Sequence, residues 1–123
     1  MVTLHALLVR RPDLTHEEFL AYWHDVHGPL IRDDPALASA LITYHQHPLD
    51  PAAGTLGLDD YDGITVQTFA DWDAFVRFAT QAASDAMNAD MANFLDVDRL
   101  RVTVTSDPVT VVAPSDATAG HDG

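Results

Sequence analysis

Seven histidines and nineteen carboxylates must carry whatever acid–base chemistry this 123-residue chain performs. The chain has no cysteine and no lysine, and all six of its basic side chains are arginines. That composition excludes a thiol nucleophile, a thiolate metal site, a disulfide and a Schiff base formed by the chain's own amine. Its four serines have no nearby histidine in a recognisable setting. A phosphate-binding glycine loop, a nucleophile elbow and a His-Glu-x-x-His zinc motif are also missing.

His27 is the foremost candidate. It lies eight residues after Phe19 and four after Trp23, on the shoulder of an apolar helical stripe. An imidazole half inside an apolar pocket, at a helix C-terminus that favours its protonated form, suits general acid–base work near neutral pH. The plainer alternative is a part-buried ring that bonds a backbone carbonyl. His5, on the first strand with Thr3 and Leu7 on its face, is a second candidate for the same pocket; otherwise it is a hydrogen-bonded core histidine. His45 and His47 share a face, with Tyr44 on the other. Such a pair can hold zinc only with a third ligand, and naming His5 for it is arithmetic without geometry, so no metal is assigned. His16 and His24 read as surface residues, and His121 lies in a polar tail. Asp59-Asp60-Tyr61-Asp62 lacks the spacing and the closing Glu of a calcium loop, and reads as a solvated turn.

These side chains need a scaffold. Val2 to Arg10 is an almost unbroken apolar run, the pattern of a buried strand. Thr15 and Glu18 form a capping box, after which Phe19, Trp23, Val26 and Leu30 fall on one helical stripe. Gly28-Pro29 either ends that helix near His27 or kinks it. Strands are expected over 41–47 and 61–69. Asp71 caps a helix carrying Trp72, Phe75, Phe78, Ala79 and Ala82, and Ser84 caps a short one through Met87, Met91, Phe94 and Leu95. A fourth strand covers 100–105, with an extension over 109–112, and residues 114–123 form a flexible polar tail.

The order is βαββαβ in one α+β domain over residues 1–113: a four-stranded antiparallel sheet with both helices on one face. The opposite face still carries apolar side chains, and a second copy of the sheet is the economical cover. The formal net charge of −13 makes nucleic acid and anionic lipid poor partners. No run approaches the ~18 apolar residues of a membrane span, and the N-terminus lacks a signal peptide's pattern, so a cytoplasmic protein is expected.

The run Leu14-Thr15-His16-Glu17-Glu18-Phe19-Leu20-Ala21-Tyr22-Trp23-His24-Asp25-Val26-His27-Gly28-Pro29-Leu30 resembles the first-helix signature of the EthD family, in the dimeric α/β-barrel superfamily. Tyr61-Asp62-Gly63-Ile64, the helix from Trp72 and Phe94-Leu95-Asp96 extend the resemblance over most of residues 2–112; the segment 33–41 and the tail depart from it. It implies a ferredoxin-like subunit, two of which form one barrel, with an apolar pocket between sheet and helices. It also implies an activity that is often cofactor-free: a lyase, a polyketide cyclase or an isomerase acting on a phenolic or polyketide-like substrate. His27 matches the family's helix-motif histidine. In that scheme His27 takes a proton beside a carbonyl, and His5 or Tyr44 orients or stabilises the enolate. Phe19, Trp23, Trp72 and Phe75 would bind the substrate. The alternatives are a non-catalytic dimer that binds a hydrophobic metabolite, and a monooxygenase of the same fold.

Overall fold

The computed structural model describes residues 1–115. Strand β1 (Val2–Leu8) leads to α1 (His16–Tyr22), a π-helical turn (Trp23–His27), α2 (Gly28–Arg32) and α3 (Pro35–Ala38). Strands β2 (Thr43–Pro48) and β3 (Gly63–Phe69) follow, then α4 (Trp72–Ala82), α5 (Asp85–Ala92) and β4 (Arg101–Thr105). All pairings are antiparallel, in the order β2-β3-β1-β4. This is the ferredoxin-like α+β arrangement. Each expected cap is present: Thr15 and Glu18 form the capping box, Asp71 accepts from the Ala74 N–H, and Ser84 accepts from the Met87 N–H. No helix among the described residues is long and apolar enough to cross a membrane.

The structure decides three points of the expected scaffold. The first helix does not stop at His27. It widens into the π turn, where the Gly28 N–H donates to the Trp23 carbonyl, and continues to Arg32. Pro29 is tolerated because it falls in the first turn of α2. The widened turn also changes the phase of the stripe. Buried positions run Phe19, Trp23, Ile31, with His27 between them, while Val26 and Leu30 are 42% and 47% exposed. A straight α-helix drifts about 40° over four residues, and the π turn takes that drift back. Third, Val109, Val111 and Val112 lie outside β4 and are exposed, Asp107-Pro108 having ended the strand. The expected tail lies, beyond residue 115, outside the described residues.

The helices cover one face of the sheet and build two buried clusters. One holds Ile31, Leu37, Ala40, Phe69, Ala74 and Phe78; the other holds Leu8, Phe19, Trp23, Phe94 and Leu95. Strand β3 touches the second cluster where it has no side chain: a Cβ on Gly63 would stand 2.5 Å from Trp23 Cζ3 and 3.1 Å from the His47 carbonyl. Trp23 is fully buried, with Phe19 at 5.4 Å between ring centroids, so it has nowhere to retreat. Gly63→Ala is therefore expected to cost about 3 kcal/mol by overpacking, read as a lower urea midpoint at an unchanged slope.

At the same corner the buried Asp62 carboxylate accepts from the Arg10 backbone N–H, Arg10 Nη1 and His16 Nδ1, each at 2.9 Å. Burial pushes its pKa up. The Arg10 N–H, His16 and the Arg10 guanidinium outweigh that and hold the carboxyl below its ordinary value. A depressed folded-state pKa contributes stability that is present above the unfolded value and is lost as pH falls through the folded one. Wild-type stability should thus decline below about pH 4. Asp62→Asn should cost about 1–3 kcal/mol at pH 7 and flatten part of that decline, measured by denaturant unfolding at both pH values.

Candidate functional site

The π turn aims His27 inward, and its surroundings hold the turn in place. A widened turn loosens the regular ladder, and Gln46 of β2 uses the opening: its Nε2 donates to the Trp23 carbonyl at 2.9 Å and to the Tyr44 hydroxyl at 2.8 Å. Its Oε1 meets His24 Nδ1 in a short contact. Gly28 lets Gln46 come this close, since a Cβ there would lie 3.1 Å from that Nε2.

His27 Nδ1 pairs with Asp90 Oδ2 at 2.6 Å, and Tyr22 donates to Asp90 Oδ1 at 2.6 Å. Asn93 Nδ2 donates in turn to the Tyr22 hydroxyl at 3.0 Å. Asp90 is buried, and a carboxylate can only accept, so in the neutral ring the hydrogen sits on Nδ1 and Nε2 keeps a lone pair. Burial, reinforced by the bond to Asp90, raises the Tyr22 phenol above its ordinary pKa, which keeps it protonated as a donor. The His27 ring packs against Phe94 with centroids 5.0 Å apart. The dyad resembles the histidine–carboxylate half of a catalytic triad, in which the acid fixes the tautomer and ring orientation.

Beside His27 lies a cavity of about 150 Å³ in the gap between the two core clusters. Leu4, Ala6 and Leu8 of β1 form part of its floor, together with Thr65 and Gln67 of β3. Ile31, Phe78, Met87, Met91 and Phe94 come from the helical side. An apolar cavity with a few converging polar groups is the usual form of a small-molecule site. A wider, open groove of about 520 Å³ runs along the edge strand β2, lined by His24, Arg32, Tyr44, His45 and Gln46 among others. It does not contain the dyad, so the smaller cavity, which His27 lines, is the better candidate for proton transfer.

The residues singled out from the sequence scatter around this centre. His27 is in it. His5 sits on the opposite face of the sheet and approaches Thr105 Oγ1 at 2.9 Å, because strand alternation sends Leu4, Ala6 and Leu8 towards the helices instead. Tyr44 is on the helical face but lines the neighbouring groove. Burial raises its phenol above the ordinary value; the Gln46 amide opposes this and the charge of Asp90 adds to it. Phe19 and Trp23 are fully buried and stand behind Phe94 rather than on the cavity wall, with Phe19 and Phe94 at 5.6 Å between centroids. Phe75 packs on Phe69, and Trp72 is 56% exposed at the start of α4. His45 and His47 also lie on the outer face. No group of three or more His, Asp or Glu side chains among the described residues is arranged to hold a metal.

Tyr22 reads from the sequence only as one of the aromatics at helical spacing, mostly core, and Asp90, Thr65 and Gln67 are not among the expected site residues. The signal for Asp90 was present: Met87, Asp90, Met91 and Phe94 fall on one helical face, and a carboxylate in the middle of an apolar stripe needs a partner.

The family model of the EthD domain matches residues 11–98, which include His27, Gln67 and Asp90. No curated protein matches the chain in sequence. Among solved structures it is similar to the Arabidopsis thaliana protein At3g17210, with 12% identity over 91% of this chain and 100% of that one and a TM-score of 0.66. It is also similar to an ethyl tert-butyl ether D (EthD) family protein from Bacillus halodurans, with 18% identity, 88% and 99% coverage and a TM-score of 0.62. A dimeric ferredoxin-like protein of unknown function from Thermobifida fusca follows, with 16% identity, 85% and 89% coverage and a TM-score of 0.60.

Proposed function

The chain belongs to the EthD family, and from that premise we propose that it is a cofactor-free lyase, cyclase or isomerase in which His27 moves a proton beside a carbonyl of a phenolic or polyketide-like substrate. The observation that supports it best is the 2.6 Å pair of His27 Nδ1 with buried Asp90, which leaves the other ring nitrogen free beside an apolar cavity. In the proposed step Nε2 accepts a proton from the carbon next to the carbonyl, and the electron pair of that C–H bond moves into an enolate. The imidazolium, balanced by Asp90, returns the proton to the same or a neighbouring carbon, or to a leaving oxygen. The low polarity of the wall strengthens the ion pair formed in that step.

The working unit in this proposal is a homodimer. Among the described residues no helix lies over the outer sheet face, which places the rows His45–Val66–His5–Thr103 and His47–Ile64–Leu7–Arg101 side by side. A second copy covers the apolar side chains among them, Val66, Ile64 and Leu7.

The test is hydrogen–deuterium exchange. Phenols, ketones and lactones are incubated with the protein in D₂O and followed by NMR. Exchange at carbon beside the carbonyl, faster than in buffer, is expected for at least the compounds that bind. Binding without any exchange across the panel would instead mark a dimer that only holds a hydrophobic metabolite.

A further inference from the structure

Thr65 and Gln67 occupy the same face of β3, two residues apart, and both line the cavity that His27 borders. Gln67 is 3% exposed and Thr65 7%. Neither side chain makes a hydrogen bond among the described residues, although Leu4, Ala6, Tyr44 and Gln46 are their cross-strand neighbours. The one polar side-chain atom that is both fully enclosed by protein and without a partner among the described residues is Trp23 Nε1. The Gln67 amide and the Thr65 hydroxyl are thus not sealed in; they border the cavity. A buried amide without a partner costs roughly 1–3 kcal/mol, which is why almost every such group in a folded protein is satisfied by something. The rest of the wall is mostly aliphatic, aromatic or thioether, with His27 the other polar group.

Cavity size limits what can satisfy them. A cavity of about 150 Å³ is of the order that accepts a single benzene ring, well below the ~300–1,000 Å³ of sites for drug-sized ligands. Building on the proton-transfer function above, we infer that Gln67, with Thr65 beside it, is the oxygen-binding subsite of that centre, and that the part of the substrate reaching His27 is one ring in size and bears a carbonyl or phenolic oxygen. The amide suits both forms of that oxygen, since its NH₂ donates to a carbonyl and its oxygen accepts from a hydroxyl. Gln67 donates to the carbonyl while His27 Nε2 accepts the proton from the adjacent carbon. Negative charge then develops on the oxygen that Gln67 already holds, and the amide releases it when His27 returns the proton. No oxidant or reductant enters. A multi-ring substrate would present only one terminal ring to this centre.

Two probes of matched shape test the inference: cyclohex-2-enone, which carries the oxygen, and cyclohexene, which does not. Wild type should bind the enone roughly three- to tenfold more tightly than the hydrocarbon, one neutral hydrogen bond's worth. Gln67→Leu, close in volume and apolar, should bring the two affinities together. Thr65→Val should narrow the gap without closing it. Titrating wild type with the enone should also shift the Gln67 side-chain amide resonances, while cyclohexene leaves them in place; this readout serves if Gln67→Leu does not fold. Equal affinities in wild type, a gap that survives Gln67→Leu, or unmoved amide resonances would overturn the subsite. Its failure is separable from that of the catalytic proposal, because His27→Ala should keep the enone preference even where all exchange is lost.

Discussion

Replacing His27 with alanine is expected to lower proton exchange by roughly 100- to 10,000-fold, the usual contribution of a positioned acid–base group. The fold should survive. His27 lines a cavity rather than filling the core, and the stripe around it is secured by Phe19, Trp23 and Ile31, which stay buried without it. Asp90 loses one donor but keeps Tyr22 at 2.6 Å, so the melting temperature should fall without collapse. Asp90→Asn should give a smaller loss of exchange by a different route. The neutral amide still occupies the space and can still meet Tyr22, but it no longer compels Nδ1 to carry the hydrogen. The check is exchange rate beside circular dichroism for all three proteins. A His27→Ala protein that is folded and still active would remove His27 from the chemistry.

The second large effect concerns assembly. Val66→Lys should weaken the dimer by roughly 100-fold or more, because an ammonium placed in a buried sheet-to-sheet contact costs about 3 kcal/mol when it has no partner. Lysine is the informative replacement. An aspartate at this position would sit between His5 and His45, its neighbours in register, and could pair with them. In one isolated subunit Val66 faces away from the helices, so the variant should remain folded as a monomer. Native mass spectrometry or light scattering against concentration decides it. A Val66→Lys dimer as tight as wild type would move the interface off this face of the sheet.

Much of this architecture is visible in the residues themselves. Thr15 with Glu18, Asp71 and Ser84 mark three helix starts because their short polar side chains serve the otherwise unpaired N–H groups. The strand order of events along the chain follows from apolar runs broken by Pro, Gly and Asp. What stayed hidden has physical causes. The π turn depends on Gln46, 23 residues after Trp23, entering the helix from a strand, and no local pattern announces that contact. Without it Val26 and Leu30 look buried and Ile31 does not. His5 is the opposite case: over Val2 to Leu8 one parity is wholly apolar (Val2, Leu4, Ala6, Leu8) and the other holds Thr3 and His5 with only Leu7, so alternation alone points His5 away from the helices, a signal that the reading of a strand buried on both faces passes over. Trp72 looks like core by type, yet it occupies the first turn of α4, where the helix has not yet come over the sheet. Asp90 was visible as a carboxylate among methionines, but its partner His27 is 63 residues away. The resemblance carried by Phe19, Trp23 and His27-Gly28-Pro29 pointed to the right histidine; the geometry adds the acid that orients it.

The tautomer of His27 tests the core of this account most directly, and long-range ¹H–¹⁵N NMR of the imidazole ring reads it. With the ring neutral, the hydrogen is predicted on Nδ1, against Asp90, and Nε2 should show the shift of an unprotonated nitrogen. Asp90→Asn should weaken or reverse that preference. A wild-type ring with its hydrogen on Nε2 would present no lone pair to the cavity, and the proposed base would not exist.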